Sequence, residues 1–178
     1  KLKLKKEKIQ MSDGRSDGWP NSNRKKTVMV SGGFDPVHAG HIRLIRAAAE
    51  YGDVIVIANS DDWLFRKKGF VFMTFSQRAE ILNAIKGVVL VDSVNDGDDT
   101  VCEAIQRHRP DYFANGGDRG RTNTPEQQVC EDLGVQLLWS VGGDKKLASS
   151  SDLVERVRDF DSPEKTAPVR TKPRVSQK

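Results

Sequence analysis

At 178 residues the chain is the size of one ordinary domain with some length to spare, and its 37% apolar content can fill one core. No apolar run approaches the roughly 20 residues that span a bilayer, and the charged N-terminus is not followed by the apolar stretch of a signal peptide, so a cytoplasmic protein without membrane contact is expected. The net charge of +4 sits in the polar ends, residues 1–26 and 159–178, around a mildly acidic middle, so neither a duplex-binding face nor a nucleic-acid partner is expected.

Residues 1–26 hold Gly14, Gly18 and Pro20, lack a sustained period and are expected to be a disordered basic tail. From residue 27 to residue 158, short runs rich in branched residues alternate with stretches of helical spacing, as in one domain. Thr27–Ser31 is the first expected strand. In the helix after it, Ile42, Ile45 and Ala49 line one face with Leu44 and Ala48. Val54–Asn59 is the second strand. Thr74 and Gln77 have capping-box spacing and open a helix that runs through Ile85. Val88–Val91 is the third strand, Thr100–His108 a helix stopped before Pro110, and Tyr112–Asn115 the fourth strand. Thr124-Pro125-Glu126-Gln127 combines an N-cap, a proline at the first helical position and a box residue. Val135–Trp139 is the fifth strand, and Ser149–Asp152 opens the last helix. Residues 159–178, with Pro163, Pro168 and Pro173 among charges, are expected to be a second disordered tail. The alternation predicts an α/β fold, a Rossmann-like doubly wound parallel five-stranded sheet in a single domain. Ligands of such sheets bind beyond the carboxyl ends of the strands. Cys102 and Cys130 have no metal-ligand spacing and are expected to be reduced on helices, and no protein metal site is expected.

Chemistry is therefore sought in the segments that follow strands. Gly32 and Gly33 end the first strand and let the backbone turn tightly and approach a ligand. His38 and His41, three apart across a helix start, can face the same ligand. A helix N-terminus offers N–H groups and partial positive charge, and imidazoles there can donate to phosphate oxygens. A zinc site would need a third ligand, and the only other histidine, His108, ends a distant helix. Core burial fits poorly with the small and turn-forming residues around the pair, so phosphate binding is the expected role. Near the C-terminus, Asp144-Lys145-Lys146-Leu147-Ala148-Ser149-Ser150-Ser151 places lysines and hydroxyls at a helix start, a second phosphate cradle. One of these serines serves as an ordinary N-cap.

The segment Gly33-Phe34-Asp35-Pro36-Val37-His38-Ala39-Gly40-His41 resembles the H-x-G-H signature of the cytidylyltransferase-like nucleotidyltransferases. That superfamily includes glycerol-3-phosphate cytidylyltransferase and the adenylyltransferase domain of the bacterial heptose enzyme. The resemblance covers about residues 27–158. It implies catalytic roles for His38, His41 and Lys68, and nucleotide contacts for Gly33, Phe34 and Lys67. By itself the triplet Arg66-Lys67-Lys68 reads as a solvated loop; the resemblance assigns its lysines to phosphates. Asn115-Gly116-Gly117-Asp118-Arg119 is similar to the Gly-Gly-Asp segment of the heptose-type enzymes, which implies nucleotide contacts for Gly117 and Asp118. Lys146, Ser149, Ser150 and Ser151 fall on the family's Ser/Thr-rich signature, although the glycerol-type signature has an arginine where this chain has lysines. Asp35, Arg78 and Arg119 are implied on the acceptor side, with an ordinary exposed arginine the other reading of Arg78.

The reaction so implied is in-line attack by a substrate phosphate oxygen on the α-phosphorus of CTP or ATP, with release of pyrophosphate and no covalent enzyme intermediate. Mg²⁺ is expected to accompany the triphosphate, with Asp35 the carboxylate nearest the site. The acceptor is a phosphorylated sugar, polyol or alcohol, and a homodimer is compatible with the chain. The alternative is a non-catalytic nucleotide-binding module, tethered through basic tails to RNA or an acidic partner.

Overall fold

The computed structural model describes residues 24–116, 125–143 and 149–160. Five strands, β1 (Thr27–Gly32), β2 (Asp53–Ala58), β3 (Val88–Ser93), β4 (Tyr112–Ala114) and β5 (Gln136–Leu138), form one parallel sheet in the order β3-β2-β1-β4-β5. The described residues form six helices, α1 (Ala39–Ala48), α2 (Asp61–Lys68), α3 (Phe75–Asn83), α4 (Cys102–His108), α5 (Pro125–Leu133) and α6 (Ser150–Phe160). This is the doubly wound α/β fold expected from the sequence.

Strand side chains alternate between two cores. Val28, Val30, Val54, Val56 and Ala58 pack on one face of the sheet with Ile45 and Ala48 of α1 and Leu82 of α3. On the other face Met29, Ile55, Ile57 and Phe113 pack with Ala104 and Ile105 of α4 and Cys130 of α5. With both faces covered, the strands carry nearly continuous apolar runs. The chain builds outward from β1 through β2 to β3, then returns to place β4 on the other side of β1. The order switches between β1 and β4, the position beyond which ligands of doubly wound sheets bind.

Helix α2 corrects the expectation of a basic loop. Ser60 caps it by accepting from the Trp63 N–H at 3.0 Å, Asp61 and Asp62 stand in the first turn, and Arg66, Lys67 and Lys68 in the last. These charges complement the helix dipole at both ends. Gly69 closes the helix at φ 78°, a left-handed position that favours glycine. The N-terminal boundary also differs from expectation. Arg24 donates to Asp111 at 2.7 Å and Lys25 pairs with Asp53, while the Thr27 N–H donates to the same Asp111 carboxylate at 2.8 Å. Arg24, Lys25 and Lys26 thus lie against the sheet; the rest of the expected N-terminal tail, and residues 161–178, lie outside the described residues.

Candidate active site

The loop from β1 to α1 carries the histidines. His38 is the N-cap of α1, and its Nδ1 accepts from the Gly40 N–H at 3.1 Å. In return the His38 N–H donates to Nδ1 of His41 at 3.3 Å. The result is a capping box built from two imidazoles, whose rings stack with centroids 3.7 Å apart. Because its Nδ1 accepts, the proton of the neutral His41 ring belongs on Nε2. Phe34 meets the His41 ring edge-on at 4.9 Å. Burial, then the neighbouring charges of His38 and Lys68, push the His41 pKa down to about 3. His41 is therefore a neutral hydrogen-bond donor at physiological pH.

Lys68 reaches the same loop from the last turn of α2. Its Nζ donates to the Asp35 carbonyl at 2.6 Å. Burial holds this ammonium below the ordinary lysine range; Asp35 opposes the shift, while Arg78 and Lys67 add to it. Lys67 instead lies over the Trp63 ring, 4.5 Å from its centroid. Of the two lysines expected at phosphates, Lys68 is the one packed against the histidine loop.

Four expected ligand contacts have internal duties. Asp35 is fully buried, and its two carboxylate oxygens accept from the N–H groups of Phe72 at 3.0 Å and Met73 at 2.7 Å. It clamps the loop between α2 and α3. Arg78 is likewise fully buried, which corrects the reading of it as an ordinary exposed arginine. Its guanidinium donates to the carbonyls of Gly33 (2.8 Å), Asn59 (2.8 Å) and Met73 (3.1 Å) and to Asp61 (2.6 Å). It ties the ends of β1 and β2 to the starts of α2 and α3. The Phe34 ring belongs to the core. Gly33 is small for an internal reason as well, since a Cβ there would stand 2.9 Å from Leu64 Cδ2.

The start of α6 approaches from the other side. Ser149 is the plain cap, its Oγ accepting from the Asp152 N–H at 3.1 Å. The Ser150 hydroxyl donates to the Pro36 carbonyl at 3.1 Å, joining α6 to the histidine loop, while Ser151 is exposed. Asn115 at the end of β4 is buried, with its N–H bonded to the Leu138 carbonyl at 2.8 Å. Gly117, Asp118, Arg119 and Lys146 lie outside the described residues.

A further cluster was not anticipated. The Asp96 carboxylate accepts from Asn59 Nδ2 at 3.1 Å, the Ser60 N–H at 2.8 Å and the Ser60 hydroxyl at 2.6 Å. Burial raises its pKa, but these donors outweigh it and hold the carboxyl below its ordinary value. The cluster fixes the β2–α2 turn from the loop after β3. Among the described residues no group of three or more His, Cys, Asp or Glu side chains could hold a metal ion. With Asp35 committed to backbone donors, this donor set does not fit a resident cation.

A sequence profile of the cytidylyltransferase-like family matches residues 29–156. The chain belongs to this family. As a cytidylyltransferase-like protein it is 33% identical over 158 residues to the bifunctional protein HldE of Campylobacter curvus, across 86% of this chain and 32% of HldE. The HldE of Syntrophotalea carbinolica is 35% identical over 146 residues, 76% of this chain and 28% of that protein. The chain therefore spans roughly a third or less of the length of these relatives. The FAD synthase of Pyrococcus horikoshii is 33% identical over 153 residues, 78% of this chain and 97% of that protein. The solved lipopolysaccharide core biosynthesis protein of Thermoplasma volcanium superposes with a TM-score of 0.56 at 21% identity, over 65% of this chain and 94% of that one, which shows the shared fold. No helix among the described residues is long and apolar enough to cross a membrane.

Proposed function

We propose that this chain is a nucleotidyltransferase that moves a nucleoside monophosphate from ATP or CTP to a small phosphorylated acceptor. The observation that carries the reading is the stacked pair His38 and His41 at the N-terminus of α1, with Lys68 packed against the same loop. With the Nδ1 of each ring facing a backbone N–H, Nε2 is left as the donor to phosphate oxygens beside a helix start. An acceptor phosphate oxygen attacks the α-phosphorus in line, a new P–O bond forms, and the bond to pyrophosphate breaks. A phosphate dianion needs no general base, so the chain's task is to position the reactants and stabilise charge. The triphosphate occupies the crevice between β1 and β4, closed by the start of α6 through Ser150, with Gly117, Asp118 and Lys146 assigned to it by resemblance. Any Mg²⁺ enters on the triphosphate oxygens. An FAD synthase among the relatives favours ATP over CTP as donor.

Pyrophosphate release, measured with ATP and CTP against a panel of phosphate esters, tests the reading. His38→Ala and His41→Ala should each lower turnover by about 10²-fold, since each removes one donor from developing charge. Lys68→Ala should weaken turnover far more than Lys67→Ala. Near-normal rates in both histidine variants would overturn the assignment. Nucleotide binding without pyrophosphate release would leave a binding module.

A further inference from the structure

Helix α2 carries Lys68, yet it has little apolar hold on the rest of the fold. Leu64 is its one buried residue, and Leu64 Cδ2 stands 2.9 Å from where a Cβ on Gly33 would lie. Polar bonds must therefore set where the helix sits. In the first turn Asp61 takes the Arg78 guanidinium at 2.6 Å and the Phe75 N–H at 3.1 Å. In the last turn Phe65 is exposed and Lys67 lies over Trp63 of the same helix, which leaves Arg66 and Lys68 to hold that end.

Asp96, in the loop after β3, meets both ends of this helix. Its buried carboxylate takes the Ser60 N–H at 2.8 Å and the Ser60 hydroxyl at 2.6 Å. With the hydroxyl proton spent on Asp96, the lone pairs of Ser60 Oγ are turned to the Trp63 N–H at 3.0 Å, and the cap is fixed. The Asp96 carbonyl takes the Arg66 guanidinium at 2.7 Å, with Asp99 as a second acceptor at 3.3 Å. Two residues advance an α-helix by about 200°, so Arg66 leaves α2 on the side nearly opposite Leu64. Leu64 alone would let the helix roll on its contact with Gly33; a tie on the far side stops the roll. Lys68, one turn beyond Leu64, is the side chain that such a roll would displace. The loop that supplies Asp96 is itself anchored, since Val94 is buried with Ala104 and Ile105 of α4 and the Asn95 N–H donates to Glu103 at 3.4 Å.

Resting on the proposed transfer reaction, we propose that Asp96 is a positioning residue for it, which sets the reach of Lys68 by gripping α2 at Ser60 and at Arg66. Lys68 rests on the Asp35 carbonyl at 2.6 Å. Once its ammonium turns to a phosphate, Arg66 is the tie that remains at that end of the helix. Misplacing a group that acts on the reacting phosphate by about 1 Å costs about 10²-fold in rate. A grip that touches no substrate is therefore felt in turnover.

The test is a pair of double-mutant cycles on the full chain, read as kcat for pyrophosphate release with the preferred triphosphate and ester. Asp96→Asn keeps the size of the side chain and removes the charge that Ser60 and Asn59 address. Arg66→Gln cuts the second tie at an exposed residue and leaves the buried cluster intact. Each should lower kcat about tenfold when Lys68 is present and about twofold or less when Lys68 is already alanine. Amide hydrogen exchange gives a readout without turnover: residues 65–68 should exchange about tenfold faster in both variants, with β2 unchanged. A purely structural role would lower kcat by the same factor with and without Lys68, and that result would overturn the proposal. Wild-type kcat in either folded variant, or unchanged exchange in α2, would overturn it too. Absence of pyrophosphate release from the wild type strikes the transfer reading and this inference together, whereas equal losses in the two backgrounds strike this inference alone.

Discussion

His41 spends both of its properties, ring position and charge state, on one task. Its Nδ1 is held by the His38 N–H, and burial keeps the ring neutral down to about pH 3. In the unfolded chain the same ring takes up its proton near pH 6.5. Between these values the unfolded state binds more protons, so stability falls as pH drops from about 6.5 toward about 3 and is unaffected above that window. Asp92, Asp96 and Asp111 have pKa values depressed below 3.8, so their contributions are lost only at more acid pH. Urea melts at pH 7 and pH 5 should therefore show a drop in wild type that is smaller in His41→Gln; equal drops would argue against the buried neutral ring. Arg78 works at the same scale by geometry. Its planar fork reaches three carbonyls and a carboxylate, which a lysine cannot do. Arg78→Lys should cost on the order of 3 kcal/mol in denaturant melts, with turnover lowered as the two strand ends loosen. A variant of wild-type stability would mean that these bonds contribute nothing measurable.

Helix α2 is the element on which the site depends and the one that the sequence concealed. Among its eight residues only Leu64 is buried, so no apolar stripe marks it, and the basic triplet reads as a loop. Its markers are at the ends: the Ser60 cap, two acids in the first turn and Gly69 after the last. Gly69→Ala should cost about 1–2 kcal/mol, because φ 78° crowds a Cβ. It should also weaken turnover, since Lys68 is the preceding residue; a neutral result in thermal melts would refute the strained cap. The strands and the histidine loop were legible because their signals are local, namely branched runs and a glycine turn followed by a helix start. Arg78, Asp35 and Asp96 were not. Their partners lie up to 45 residues away, and a charged residue in sequence gives no sign that the fold will bury it.

At the scale of the whole molecule, the sheet separates two ends with different chemistry. The carboxyl ends of the strands gather the histidines, Lys68 and the start of α6. The amino ends are sealed by Asp111, which holds Arg24 and the Thr27 N–H, and by Asp53, which holds Lys25. We propose that the folding unit begins at Arg24. A chain beginning there should match the thermal midpoint of the full chain, while one beginning at Thr27 should melt several degrees lower, because Asp111 and Asp53 lose their cationic partners. Equal midpoints would show these exposed pairs to be worth nothing, as isolated surface ion pairs often are. The anchoring of Arg24 has a practical corollary. An affinity tag, dye or surface linkage attached ahead of it departs from the floor of the sheet, a strand's length from the histidine loop. Immobilised through that end, the protein should meet soluble substrates with its mouth facing the solvent.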